Sequence, residues 1–165
     1  MLSYEHALRE LLDAAGRPVR AEVIKSHQAF GRVLAESVVS PLAVPPEDNS
    51  AMDGYAVRAQ ELGVQPLPVS QRVPAGSVPV PLEFGTVARI FTGAPIPPGA
   101  DAVLMQEKAQ IQSGGVVFEQ AARSGENIRR AGEDIALGSA VVAEGTRLGA
   151  AHLGLLASVG IAEVK

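Results

Sequence analysis

The chain has 165 residues, 47% of them hydrophobic, and a formal net charge of −4. That length suits one domain or two small ones with a real core, and the acidic balance excludes a broad basic nucleic-acid groove. The lack of cysteine excludes disulfides, thiolate metal sites and cysteine nucleophiles. No apolar run approaches the roughly 20 residues that span a bilayer, and no basic segment followed by an apolar one marks a secretory signal. No nucleic-acid or membrane partner is therefore expected, and the expected location is cytoplasmic. Four Phe, two Tyr and no Trp leave the core to Ala, Val, Leu and Ile. The 17 Gly and 12 Pro forecast many turns and short strands.

In chain order, Ser3 can cap a helix that starts at Tyr4, with Glu5 in its first turn. Ala7, Leu8, Leu11, Leu12 and Ala15 recur at helical spacing, and Gly16 followed by Pro18 stops the run. "VRAEVI" reads as a short strand. Ser26 can open a second helix with Phe30, Val33 and Leu34 on one face. "ESVVSPLAVPPEDNS" is an extended connector, because a residue before proline is pushed towards extended geometry. From Tyr55 to Ala136, short apolar pieces ("YAVR", "PLPVSQRV", "TVARIF", "DAVLMQE", "GGVVFEQ") alternate with turn signals, the pattern of a small β barrel or sandwich. Ser113–Gly115 looks like a hairpin turn. "GAAHLGLLASVG" returns to helix, stopped at Gly160. "IAEVK" begins like another strand, and its abrupt end suits a chain cut at a domain boundary. The expected class is α+β, a β domain (45–137) inserted into a mixed helical and extended domain formed by both chain ends (1–44 and 138–165).

Three polar stretches carry candidate chemistry. "PPEDNSAMDGYAVR" makes turns, since Asp, Asn and Ser side chains bond nearby backbone N–H groups. Its two carboxylates, Asp48 and Asp53, behind a stiff Pro45–Pro46 entry, could instead ligate Mg²⁺ through water or orient a hydroxyl or oxyanion. "FTGAPIPPGAD" offers the Thr92 hydroxyl and N–H groups after a strand, suited to an anion. It reads equally as a proline-rich turn, and it lacks the phosphate-loop pattern. "RSGENIRRAGED" sets Arg123, Arg129 and Arg130 among Glu126, Glu133 and Asp134. Arginine forks match oxyanions, yet such a run also pairs with itself at the surface. His6, His27 and His152 are far apart, on predicted helices, with no metal spacing. There is no GxSxG, HExxH or GxGxxG motif.

Taken together, "DNSAMDGYAVR", "FTGAP.P.GADAVLMQE", "GENIRRAGEDI" and "GTRL…LGLLASVGIAEV", in that order, resemble the N-terminal half of the MoeA-type molybdopterin molybdenumtransferases, related to the E domain of gephyrin. The resemblance runs from about Leu2 to the last residue. Two departures stand out: Glu47 where the family is usually apolar or aromatic, and Phe91 where Met is common. The resemblance implies an enzyme of molybdenum cofactor biosynthesis that inserts molybdenum from molybdate into adenylylated molybdopterin and releases AMP, with Mg²⁺. It implies a homodimer whose cleft is completed by a pterin-binding domain resembling the MogA fold, which this chain lacks, so the 165-residue chain alone is expected to be inactive. Carried over by motif, Asp53, Thr92 and Asp134 would be catalytic and face the cleft. Ser50, Gly93, Arg129 and Arg130 would bind substrate, and Asp53 and Asp134 would hold the metal. The competing reading is a non-catalytic dimerisation or interaction module.

Overall fold

A computed structural model describes residues 2–16 and 20–165. In chain order its elements are α1 (Tyr4–Ala15), β1 (Ile24–Lys25), β2 (Val38–Val39), β3 (Asn49–Ser50), β4 (Gly54–Val57), β5 (Val69–Val73), β6 (Val87–Ile90), β7 (Ala102–Met105), β8 (Ala109–Gln112), β9 (Gly115–Phe118), β10 (Ile128–Arg129), β11 (Ala140–Val142), α2 (Ala150–Ser158) and β12 (Glu163–Val164). The described chain is thus mostly β with two α-helices, and it divides into two compact units: Met1–Val38 with Val142–Lys165, and Val39–Val141.

The 39–141 unit is built on an open four-stranded sheet in the order β5-β6-β4-β7. Its centre is β4, whose Gly-Tyr-Ala-Val run is buried throughout. An uninterrupted apolar run suits a strand covered on both faces. On one face Tyr55, Val57, Val87, Ala102 and Leu104 pack with Val116 and Phe118. These last two come from the β8–β9 hairpin, turned at Ser113–Gly114 as the sequence suggests. The rings of Tyr55 and Phe118 meet edge to face, with centroids 5.7 Å apart. On the other face Ala56, Val73, Ala88, Ile90 and Val103 pack with Leu82 and Ala94. Full burial of a Val, Leu or Ile contributes about 1.5–3 kcal/mol, against about 0–1 kcal/mol for an exposed ion pair. Apolar packing therefore holds this unit, and its surface charges are left for other work.

The expected barrel does not close. β5 joins only β6, in parallel and with a register shift between Val69 and Gln71. β7 runs into a turn at Gln106–Lys108 instead of returning to β5, and the hairpin forms its own two-stranded sheet.

In the other unit, Ser3 caps α1 by accepting a hydrogen bond from the His6 N–H at 3.3 Å, and the helix ends before Gly16. Pro18 and the first residue of "VRAEVI" lie outside the described residues. What remains of that stretch forms β1, which pairs with β12 (Ile24 opposite Val164, Lys25 opposite Glu163). The helix expected after Ser26 is a single 3₁₀ turn, Ser26–Gln28, so His27 lies in a turn. Its continuation is drawn off: the N–H groups of Gly31 and Leu34 donate to the carbonyls of Leu148 and Thr146, which a helix could not allow. α2 forms as expected and buries Leu156. At its start the His152 Nδ1 accepts the Gly149 N–H at 3.0 Å, a capping use of a histidine rather than a metal use.

Candidate functional site

The three motif loops meet on β3, a two-residue strand of the 39–141 unit. β3 is hydrogen-bonded along both edges. On one edge it pairs with β10, Ser50 opposite Ile128 and Asn49 opposite Arg129, and the Ala51 N–H donates to Asn127 O at 2.9 Å. On the other, Asn49 bridges to Pro95. There the Gly93 N–H donates to Ser50 O at 2.8 Å, the Ser50 N–H to Ala94 O at 2.9 Å, and the Ile96 N–H to Asp48 O at 3.0 Å. A polar Asp-Asn-Ser run that would make a poor core strand is thus fixed as the hub between two loops.

Both aspartates of the opening stretch reach across that hub. Asp53 Oδ1 accepts the N–H and the hydroxyl of Thr92, each at 2.8 Å. These bonds, first the backbone one, hold the Asp53 carboxyl below its ordinary range, with the Arg89 charge adding to the effect. Asp48 accepts the Ala131 N–H at 2.9 Å and the Arg130 guanidinium at 2.5 Å, and its carboxyl is lowered chiefly by the Ala131 N–H. Arg129 Nη2 lies 2.5 and 2.6 Å from the two oxygens of Asp134. That bond raises Arg129 above its ordinary value. The Asp53–Thr92 and Arg129–Asp134 pairs share the hub strand but make no hydrogen bond to each other.

The candidate residues divide accordingly. Asp53, Thr92, Arg129, Arg130 and Asp134 all present polar groups at or near the surface. Ser50 is buried, and its hydroxyl donates to Met52 O at 2.6 Å, so it shapes the turn that carries Asp53. Gly93 has φ +78°, a left-handed backbone that favours glycine. Its N–H, with those of Thr92 and Ala94, is already engaged, leaving no open amide nest for an anion. The Thr92 hydroxyl hydrogen points at Asp53 instead of an incoming oxyanion. The arginine run is self-paired: Arg129 with Asp134 and Glu133, Arg130 with Asp48. All these pairs are exposed and so contribute only about 0–1 kcal/mol each. An incoming anion can therefore compete for the forks at little cost.

Sequence reasoning gave no settled role to Asp48, Asn127 or Arg89. The sequence reads Asp48 either as a turn-former or, with Asp53, as a candidate Mg²⁺ or oxyanion group, and its grip on Arg130 and Ala131 is not visible there. Asn127 has a left-handed backbone, φ +55°, a conformation asparagine tolerates better than most residues. Its amide donates to Val103 O at 2.8 Å, tying the loop to the sheet.

The lowered carboxyls predict a pH dependence. A carboxyl depressed on folding stabilises the fold above its unfolded value, and this is lost as pH falls through the folded value. Urea midpoints should therefore hold from neutral pH to about 5 and then fall below about 4, the ordinary aspartate range. Asp48→Asn with Asp53→Asn should flatten that acid limb. An unchanged limb in the double variant would assign it to other carboxylates.

Among the described residues no group of three or more His, Asp or Glu could hold a metal ion. No helix there is long and apolar enough to cross a membrane.

Comparison with known proteins agrees with the motif order. A family model described as the MoeA N-terminal region (domain I and II) matches residues 2–160. The molybdopterin molybdenumtransferase of Haemophilus influenzae is 41% identical over 169 aligned positions, covering 100% of this chain and 42% of that protein. Molybdopterin molybdenumtransferase 2 of Mycobacterium tuberculosis is 41% identical, covering 98% and 40%. The crystal structure of the molybdopterin biosynthesis MoeA protein of Pyrococcus horikoshii OT3 superposes with a TM-score of 0.87 at 34% identity, covering 99% of this chain and 45% of that one. The chain thus spans less than half the length of these relatives. On this match, over nearly every residue, the chain belongs to the MoeA N-terminal region (domain I and II) family.

Proposed function

We propose that this chain is the N-terminal part of an enzyme of molybdenum cofactor biosynthesis, one that inserts molybdate-derived molybdenum into adenylylated molybdopterin and releases AMP. The observation that carries this reading is the hub strand β3, which gathers the Asp53–Thr92 and Arg129–Asp134 pairs onto neighbouring loops of one unit. In this reading the 39–141 unit is the inserted β domain, the unit formed by both chain ends is the linker and dimerisation domain, and the enzyme works in the cytoplasm.

Asp53, held in one orientation by the Thr92 N–H and hydroxyl, would orient Mg²⁺ and, through the ion, the reacting oxyanion. Arg129 and Arg130 would exchange their exposed carboxylate partners for substrate phosphate or molybdate, overcoming the unfavourable net charge locally. Ser50 and Gly93 would serve substrate binding by fixing the loops that carry these groups. Mg²⁺ typically binds through one or two carboxylates, with substrate phosphates and waters completing its shell. Asp53, whose Oδ2 accepts no hydrogen bond among the described residues, fits as such an anchor, and the ion would supply charge neutralisation there. Asp134 has both oxygens against Arg129, and we assign it to that charge pair first.

The purified 165-residue chain should show no molybdenum insertion, while the full-length protein carrying these residues should. Insertion by the short chain alone would refute the division of labour.

A homodimer is part of the proposal. α1 buries none of its residues, and Leu8, Leu11 and Leu12 are 41%, 70% and 66% exposed on its apolar stripe. A second chain would cover such a stripe. Leu8→Asp with Leu12→Asp should convert a full-length dimer to monomer at micromolar concentration, read as mass by light scattering. An unchanged mass would place the interface elsewhere.

A further inference from the structure

Arg89 makes no ion pair with any carboxylate among the described residues. It lies on β6 opposite Tyr55 of β4 and opposite Arg72 of β5, a like-charge neighbour that costs stability in a sheet. Its guanidinium is instead filled by neutral oxygens: Nη1 donates to Gly54 O at 2.8 Å and Ile90 O at 2.6 Å, and Nη2 donates to Gln106 Oε1 at 2.5 Å. The group also stacks over the Phe91 ring at 4.4 Å and near the Tyr55 ring at 5.4 Å. A half-buried cation held by three acceptors and two rings has few rotamers left, and a planar five-donor fork suits that use where an ammonium would not.

The anchor points decide what the fork does. Gly54 directly follows Asp53. Ile90 precedes Thr92 by two residues. Gln106 donates its own N–H to Asp53 O at 3.1 Å. Every acceptor of Arg89 is thus within two residues of the Asp53–Thr92 pair or bonded to it, and the guanidinium touches neither member directly.

We propose that Arg89 is the positioning residue of the Asp53–Thr92 pair: its fork ties the start of β4, the end of β6 and the end of β7 into one frame. Phe91 is part of the device, since its ring braces the guanidinium from the side on which the chain leads into Thr92. The bearing on catalysis rests on the proposed function, whereas the geometric claim does not, so the test begins with the 165-residue chain and needs no turnover.

Arg89→Met removes fork and charge; Arg89→Lys keeps the charge and loses the fork. In the Met variant, hydrogen exchange at the Thr92 amide should quicken by about tenfold, as for loss of one supported hydrogen bond. The Lys variant should not restore the amide protection, because a single ammonium cannot take the place of the planar fork across the three acceptors. Gln106→Ala, which leaves the sheet residue in place, should quicken Thr92 exchange on its own and serves if the Met variant fails to fold. Wild-type exchange at Thr92 in folded Arg89→Met, or in Gln106→Ala where only that variant folds, would overturn the proposal. In the full-length protein the positioning role predicts a fall in kcat with KM little changed. Frame effects in the short chain with no kcat effect would instead count against the proposed function.

Discussion

Asp53→Ala in the full-length protein lowers kcat for molybdenum insertion and AMP release by at least about 100-fold, the low end for loss of a positioned catalytic group, and leaves the fold intact. Two observations separate these effects. Asp53 is exposed, so its truncation opens no core cavity, and the Thr92 N–H and hydroxyl that it releases are themselves exposed and can turn to water at small cost. The same two bonds, both at 2.8 Å, are what hold a carboxylate in one orientation at a surface where it would otherwise rotate freely. Asp53→Asn retains an acceptor for Thr92 but not the charge. If the carboxylate acts as a hard-oxygen anchor, the Asn variant should lose nearly as much as the Ala variant. Thr92→Val should lose activity through the hydroxyl, and Thr92→Ser should keep most of it. Circular dichroism and thermal melting of each variant accompany the kinetics. Wild-type turnover in Asp53→Ala would favour the non-catalytic interaction module and remove the site.

Local signals carried much of this fold, and long-range pairing decided the rest. The cap at Ser3, the stops at Gly16 and Gly160, the hairpin at Ser113–Gly114 and each apolar piece of the β block are nearest-neighbour features, legible because turn chemistry and periodicity act within a few residues. The helix after Ser26 was misread because its competitor lies more than a hundred residues away, in the carbonyls of Thr146 and Leu148. Barrel and sandwich could not be told apart for a related reason. Closure depends on whether β5 and β7 meet, and no composition signal reports that.

At the site, the sequence marks the loops by their density of Asp, Asn, Gly and Pro, and the motif resemblance selects Asp53, Thr92 and Asp134 among them. Partners are less legible than residues. Nothing in "PPEDNS" says that Asp48 will grip residues 130 and 131. Nothing in "VARIF" says that Arg89 will fold back onto Gly54. Both are cross-strand or cross-loop choices set by register.

The largest stability effect is expected from the smallest residue beside the site. Gly54→Ala should lower the stability of the 39–141 unit by about 3 kcal/mol or more, the upper end for overpacking. For a unit of this size that is a fall in Tm of about 12–24 °C. The cause is close approach, not backbone conformation. A Cβ at Gly54 would run into the carbonyl of Leu104, with the Leu104 carbonyl carbon at 2.8 Å and Met105 Cα at 3.1 Å. These are backbone atoms of β7, the strand paired with β4, so no rotamer change can relieve the clash and the ladder itself must part. Gly63→Ala is the control: nothing lies within 4 Å of its Cβ position and its φ is not in the left-handed range, so its Tm should stay near wild type. The functional consequence follows from chain order. Gly54 carries Asp53 on one side and offers its carbonyl to Arg89, so a β4 pushed off β7 moves the carboxylate and its brace together, and residual activity should fall even at temperatures where Gly54→Ala remains folded. A Tm for Gly54→Ala as mild as that of Gly63→Ala would mean that β4 and β7 are not packed this closely, and the placement of Asp53 against Thr92 would lose its support.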